Sequence, residues 1–357
     1  MKYFNVIPAL LTLVLSILSL VKCQNVCNGY SGLCDRSYTN ITYLVTHDSY
    51  AVGRNIAATQ NFPIIDQLNQ GVRGLKFSAV APILDRAAVH LCHTSCSILD
   101  AGPASGVLDT IAEWLDEHPR EVITIMWNNL YNMKAGRLAN VYSASKIMPY
   151  IYTHDSSKPW PTLNEMIDSG KRVVNFVDSQ ADEKNIPWLM DQFQLVFETP
   201  YENTDQNSFK CTIDRPSTLK SPDGHMYVMN HFLYGTLKLG NIEAQVPQRD
   251  SATVTNSKSL REQIAECTRT FGKKPNFIEV DFYDDGDAME IVSELNEVPW
   301  VKLAGVIETP ISTPPVATKA QFPWIPTHIV INNSALKEGI QTLKILYLSL
   351  VIAAFNF

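Results

Sequence analysis

Short β-branched or aromatic runs alternate with helix-like segments along most of this 357-residue chain. Several of these runs end in polar residues: the first, residues 41–46, is followed by His47, and a late one, residues 276–283, carries Asp281. Alternation of this kind predicts parallel strands joined by crossover helices. Polar strand ends are typical of a barrel, whose active site forms where the strands end. The first run is not followed by the Gly-rich phosphate loop of an open doubly wound sheet. The sequence therefore predicts an α/β fold, a single (β/α)8 TIM-type barrel.

Both ends of the chain carry apolar segments that match targeting signals. An apolar stretch follows Lys2, which predicts a secretory signal peptide over residues 1–23 in preference to a retained signal anchor. Residues 332–357 combine small polar residues, a polar spacer and an apolar tail, the pattern of a GPI-attachment signal. A tail-anchoring helix is the alternative, but the tail is shorter than the roughly 20 residues that span a bilayer. We therefore expect a barrel over residues 24–331, secreted and GPI-anchored at the extracellular face of the plasma membrane or in the cell wall.

The cysteines favour an oxidising compartment. Of seven cysteines, Cys23 lies at the predicted signal cleavage point, which leaves an even number for disulfides. Six cysteines allow fifteen pairings, from which we predict three disulfides: Cys27 with Cys34, Cys92 with Cys96, and Cys211 with Cys267. A zinc site made by Cys92, His93 and Cys96 is the alternative. Two sequons predict N-glycosylation at Asn40 and Asn332.

Composition limits the possible partners. The chain is 45% hydrophobic and 18% charged, so it has enough apolar residues to form a substantial core. Its net charge of −7 comes without acidic runs or a basic stripe. Nucleic-acid binding needs clustered Lys and Arg, so we do not expect it.

Two histidines stand at predicted strand ends, His47 and His93. Imidazole titrates near neutral pH and can act as a general base or a general acid, so the two form a candidate catalytic pair. Asp48, beside His47, and Asp281, on a distant predicted strand, are placed to orient or polarise them.

Several motifs resemble the X-domain region of phosphatidylinositol-specific phospholipase C, and a group of secreted fungal PLC-like phosphodiesterases is more similar still. The first motifs are residues 46–50 (THDSY), 67–73 (QLNQGVR) and 91–93 (LCH). The likeness continues over essentially the whole mature chain, through residues 160–163 (WPTL), 197–199 (FET), 230–232 (NHF) and 280–283 (VDFY). It implies a phosphodiester-cleaving barrel that acts on a phosphodiester or phosphoinositide-like substrate, small-molecule or lipid. We expect no cofactor, and a divalent metal is the unsupported alternative.

The resemblance also implies roles. In that family one histidine takes the proton of the inositol 2-hydroxyl, whose oxygen attacks phosphorus, and a second protonates the leaving glycerol oxygen. His47 and His93 match these positions, and Asp281 matches the assisting acid. Four further candidates, at or near predicted strand ends, would bind substrate: Asn128, Glu198, His231 and Tyr283.

The sequence departs from the family on the second predicted strand, residues 72–80. Bacterial members place an Asp and an Arg there, and calcium-dependent members two acids, whereas this chain has Lys76 and Ser78. Period two puts both on one face and Arg73 on the other, so Lys76 is the candidate cation for the phosphate. The alternative is that Lys76 pairs with Asp48 or Asp281 in a site that has lost turnover.

Three functions are compatible with these residues. The first is a phosphodiesterase of the two-histidine kind. The second is a catalytically impaired barrel that binds a phosphorylated headgroup or a wall glycan. The third is a metal-dependent phosphodiesterase using Asp48, Glu198 and Asp281, although no local ligand spacing supports a metal site.

Overall fold

The computed structural model describes residues 26–300 except 83, 84, 94, 240 and 241. The predicted signal peptide, the GPI-attachment signal and Asn332 lie outside the described residues and stay predictions. Asn40, the other predicted glycosylation site, has an exposed side chain. Within the described part of the chain, no helix is both long and apolar enough to cross a membrane.

The described residues form twelve strands. In chain order they are β1 (Tyr43–Thr46), β2 (Gly74–Val80), β3 (His90–Cys92), β4 (Asp100–Pro103), β5 (Ile123–Asn128), β6 (Val173–Val177), β7 (Leu189–Asp191), β8 (Val196–Glu198), β9 (Met226–Asn230), β10 (Tyr234–Leu239), β11 (Ile242–Pro247) and β12 (Phe277–Val280).

Eight parallel strands form the barrel wall in the order β7, β6, β5, β2, β1, β12, β9, β8. The last strand closes on the first, with Tyr43 opposite Phe277. Within the described residues no ladder joins β7 to β8, so the wall is open at that seam. The predicted barrel is confirmed. The antiparallel strands β3 and β4 extend β2, and β10 and β11 form a separate hairpin that the sequence did not predict.

Helices connect the strands and cover the wall. They are α1 (Ile64–Asn69), α2 (Ala104–Glu117), α3 (Ala135–Ser143), α4 (Leu163–Asp168), α5 (Gln192–Leu195), α6 (Ala252–Val254), α7 (Leu260–Phe271) and α8 (Ala288–Leu295). Short 3-10 turns occupy Ser31–Leu33, Tyr38–Asn40, Met148–Tyr150 and Arg249–Ser251, and a π-helical turn, Thr255–Ser259, joins α6 to α7. Local signals set some of these bounds: a Thr162 and Glu165 capping box begins α4, and Gly71, at φ +107°, follows α1.

The pleat of the strands separates two apolar layers. On β12, Ile278 and Val280 pack with the covering helices, whereas Phe277 belongs to a second buried cluster inside the wall. Further along the inward faces the residues become polar, and these are Lys76, Ser78, Asn128, Glu198, Asn230, Glu279 and Asp281. The lumen is therefore apolar where the strands begin and polar where they end, which positions a site at the C-terminal rim.

Gly74 begins β2 on this inward face. A β-carbon at this position would lie 2.5 Å from Cγ2 of Val45 on the neighbouring strand. Glycine is therefore required for β1 and β2 to pack closely beneath the polar layer.

The six cysteines form the three predicted disulfides, Cys27–Cys34, Cys92–Cys96 and Cys211–Cys267. The second closes the loop that carries His93, and the third ties the segment after β8 to α7. The alternative zinc site is wrong for this oxidised protein. Although His90 and Asp100 lie near Cys92 and Cys96, both sulfurs are in a disulfide and are not thiolate ligands.

Candidate active site

A cavity of about 210 Å³ opens where the parallel strands end. His47, Asp48, Lys76 and His93 line it, so four of the five candidate catalytic residues meet there. Asp281, the fifth, is hydrogen-bonded to His47. Residues separated by up to 234 positions in sequence are thus assembled at one rim of the barrel.

His47 follows β1 and is fixed from several sides. Its Nδ1 lies 2.8 Å from Oδ1 of Asp281, and its ring stacks on Phe232 with centroids 4.1 Å apart. Thr59 and Gln60 donate hydrogen bonds to its carbonyl oxygen. Burial acts to lower the pKa of His47, but the adjacent Asp281 carboxylate outweighs it and raises the pKa to about 9. This imidazole therefore carries a proton at neutral pH.

His93 follows β3, inside the loop closed by Cys92 and Cys96. Its Nε2 lies 3.8 Å from Oδ2 of Asp48, and Ser78 donates a 2.7 Å hydrogen bond to the other oxygen of that carboxylate. Burial lowers the pKa of His93 more than Asp48 raises it. The two histidines are therefore in opposite protonation states at neutral pH.

Asp48 has an unusual backbone conformation, with φ at +40°. Strand alternation would point His47 and Asp48 to opposite faces, yet both line the cavity. The left-handed turn at Asp48 brings its carboxylate round to the same side. For a non-glycine residue this conformation costs on the order of 1 kcal/mol.

Lys76 points into the lumen, as the period-two pattern predicted, and Arg73 packs outside it against Trp114. The ammonium Nζ lies 3.5 Å from Oε1 of Glu198 and 3.9 Å from Oε2 of Glu279. The alternative partners, Asp48 and Asp281, were wrong. Although burial opposes it, the two glutamates raise the pKa of Lys76, so the side chain stays charged.

Glu279 was missed in the sequence, although it lies two residues before Asp281 and therefore on the same face of β12. Its Oε2 makes no hydrogen bond to any described residue, and its side chain lines the cavity. Burial raises the pKa of Glu279 despite the nearby Lys76.

Arg215 was also missed, because it lies in the irregular segment between β8 and β9, where no periodic pattern exists. Its Nε donates a 2.9 Å hydrogen bond to Oε2 of Glu198, and Nη2 donates to the same oxygen. Its guanidinium carbon lies 4.4 Å from the centre of the Tyr201 ring. The side chain is 30% exposed and lines the cavity.

The four candidate substrate-binding residues fall into two groups: two lie at or beneath the cavity, and two lie away from it. Asn128 lines the cavity, whereas Glu198 is fully buried beneath it. His231 and Tyr283 do not line it, so their positions do not support that role. His231 follows the inward-facing Asn230 and turns outward, where its ring nitrogens contact Gln263 and Thr255. The chain turns at Phe282, with φ +46°, and Tyr283 packs in the outer apolar cluster.

The geometry agrees with comparisons to known proteins. The family model for the PI-PLC X domain (PI-PLC X 1) matches residues 33–296. The chain belongs to the PI-PLC X family.

Two curated fungal relatives and a bacterial structure are similar to this PI-PLC X chain. It is 34% identical over 305 residues to PI-PLC X domain-containing protein 1 of Arthroderma benhamiae, covering 83% of this chain and 98% of that protein. It is 32% identical over 289 residues to an uncharacterized secreted protein of the same fungus, covering 77% of this chain and 64% of that protein. A Staphylococcus aureus phosphatidylinositol-specific phospholipase C structure has a TM-score of 0.52 at 14% identity, with 75% of this chain and 95% of that chain covered.

The residues of this PI-PLC X domain do not fit a metal site made by Asp48, Glu198 and Asp281. Both Glu198 oxygens are already engaged, one by Arg215 and the other by Gln192 with Lys76 nearby. Although burial opposes it, Lys76 and Arg215 lower the pKa of Glu198 to about 2. The carboxylate is therefore ionised and balances their positive charge. A divalent ion there would have to displace an ammonium and a guanidinium.

Proposed function

We propose that this protein is a secreted phosphoric diester hydrolase of the phospholipase C kind, acting on a phosphoinositide-like or glycerophosphodiester substrate. The observation that carries this proposal is that His47 and His93 line the same cavity, each beside its own carboxylate. A cavity of about 210 Å³ suits a phosphorylated headgroup and leaves acyl chains outside. Secretion is supported by the similarity to a secreted relative. The GPI anchor and glycosylation stay predictions.

The proposed reaction needs one proton acceptor and one donor. A neutral imidazole removes the proton from the attacking hydroxyl as its oxygen bonds to phosphorus, and an imidazolium protonates the leaving oxygen as its bond breaks. His93 and His47 supply one neutral and one protonated ring at neutral pH. The Lys76 ammonium offsets charge that builds up on the nonbridging oxygens.

A second candidate function is headgroup binding without turnover. It is favoured by the two glutamates beside Lys76, because Glu198 and Glu279 reduce the positive potential that the ammonium can offer to a phosphate. This candidate differs from the first in retaining affinity for inositol phosphate while leaving the diester intact.

We expect the purified secreted protein to release cyclic inositol phosphate from phosphatidylinositol vesicles. Phosphorus NMR of the soluble fraction detects that product. The rate should be unchanged by EDTA, because the proposed mechanism uses no metal ion. A rate abolished by EDTA and restored by a divalent ion would instead support the metal-dependent reading. Binding of inositol phosphate by calorimetry, without any product, would support the second candidate.

The dependence of kcat/KM on pH is expected to be bell-shaped. The raised pKa of His47 places the alkaline limb near pH 9, and the lowered pKa of His93 places the acid limb below its ordinary value of about 6.5. Either assignment of acid and base gives the same profile, since the pair shares one proton. In Asp281→Asn the alkaline limb should move to lower pH, because the main carboxylate that raises the His47 pKa is removed. An alkaline limb unmoved by this substitution would contradict the assignment.

A further inference from the structure

The positive charge at the cavity is not supplied by β2 alone. Ser78 is uncharged and hydrogen-bonded to Asp48, and Lys76 lies between two glutamates. A phosphodiester brings a further negative charge, which increases as the attacking oxygen bonds to phosphorus. A second cation is therefore needed among the residues that line the cavity, and Arg215 is positioned to provide it.

Two of the three guanidinium nitrogens of Arg215 donate hydrogen bonds to described residues. Nε and Nη2 both donate to Oε2 of Glu198. Nη1 has no hydrogen-bond partner among the described residues, and the side chain keeps 30% of its surface exposed. A guanidinium fork can bind one anion along one edge and present its remaining N–H groups to another.

Contacts of both its side chain and its backbone segment hold Arg215 in place before any substrate arrives. The ring of Tyr201 lies on one side, and that of Phe193 has its centre 5.5 Å from the guanidinium carbon. The carbonyl oxygen of Arg215 accepts a 2.8 Å hydrogen bond from the backbone of Glu198. The disulfide Cys211–Cys267 anchors the same segment to α7. Little side-chain entropy would be lost on binding a phosphate.

We propose that Arg215 is a catalytic residue that binds a nonbridging phosphate oxygen through Nη1, beside Lys76. Glu198 is then a positioning residue, since its two oxygens hold the two cations. The segment between β8 and β9 then supplies a guanidinium beside the ammonium that β2 supplies. This inference rests on the proposed phosphodiesterase function.

The test uses phosphorothioate analogues of phosphatidylinositol, in which sulfur replaces either nonbridging oxygen. Wild-type protein should cleave one diastereomer faster than the other, because the cation contacts one oxygen. Arg215→Met should lower kcat on the normal substrate by about 10²-fold and remove most of that preference. Arg215→Lys, which keeps the charge and loses the fork, should also lose the preference while retaining more activity.

The matched control is Arg269→Met, an exposed arginine on α7 that pairs with Glu266, and it should behave like wild type. Calorimetry with inorganic phosphate tests the site without turnover: wild type should bind, and Arg215→Met should bind at least 10-fold more weakly. Phosphate affinity and thio preference both unchanged in folded Arg215→Met would overturn the inference while leaving the hydrolase proposal intact. Phosphate binding that depends on Arg215 without any hydrolysis would keep the phosphate contact of Arg215 but overturn its catalytic role on that substrate. If Arg215→Met does not fold, the thio preference of Arg215→Lys decides.

Discussion

Replacing either His47 or His93 by alanine is expected to lower turnover of phosphatidylinositol by roughly 10²- to 10⁴-fold, the usual contribution of a positioned acid or base. Each substitution removes one proton carrier from the cavity, while the other histidine and the carboxylate beside it stay in place. Turnover is measured as the rate of soluble inositol phosphate release at pH 7. The double variant should be little worse than either single variant, because the two rings act as a unit.

His225→Ala provides the matched control for both variants. His225 lies at the opposite end of the barrel, just before β9 begins, and lines a separate cavity. Its removal should leave turnover unchanged. Equal rates in wild type, His47→Ala and His93→Ala would reject the two-histidine mechanism for this substrate.

Lys76→Met is expected to remove turnover and to lower the free energy of unfolding by about 3 to 5 kcal/mol, the cost typical of breaking a buried ion pair. Methionine fills a similar volume but leaves Glu198 with one cation fewer and Glu279 without its ammonium neighbour. Urea unfolding followed by tryptophan fluorescence measures the stability, and turnover is measured per folded molecule.

A double variant separates folding from chemistry. In Lys76→Met combined with Glu279→Gln the buried charges are closer to balance, so much of the stability should return, whereas turnover should stay low. Full turnover in the double variant would show that Lys76 only neutralises Glu279. Arg73→Met is the control cation: it contacts Glu121 and Trp114 outside the lumen, so it should reduce stability and spare turnover.

Local patterns predicted the barrel and the centre of the site. The alternation of strand and helix signals indicated the fold, and the pleat of β2 placed Lys76 in the lumen and Arg73 outside. Both histidines were found because each follows a predicted strand. His47 follows a strand of the parallel wall, whose strands end at one rim, whereas His93 follows β3, which pairs antiparallel with the end of β2 at that rim. Glu279 follows from the same alternation once Asp281 is placed.

The remaining residues depend on contacts that no local pattern records. Arg215 reaches the cavity because Glu198 and the Cys211–Cys267 disulfide hold an irregular segment over the barrel. His231 was assigned to the site because it lies at the end of a predicted strand, yet it lies one residue past the inward Asn230. Tyr283 was displaced by the turn at Phe282, whose positive φ interrupts the alternation. Turn conformation and long-range ion pairing therefore determine which of these residues reach the cavity.

The disulfide Cys92–Cys96 makes His93 part of a small covalent ring. A chain that folds in a reducing cytoplasm would lack this bond, and the backbone on both sides of the imidazole would gain conformational freedom. Recombinant material from such a host would then understate the activity of protein that has passed through an oxidising secretory pathway. The choice of expression host is thus part of any fair measurement of the proposed activity.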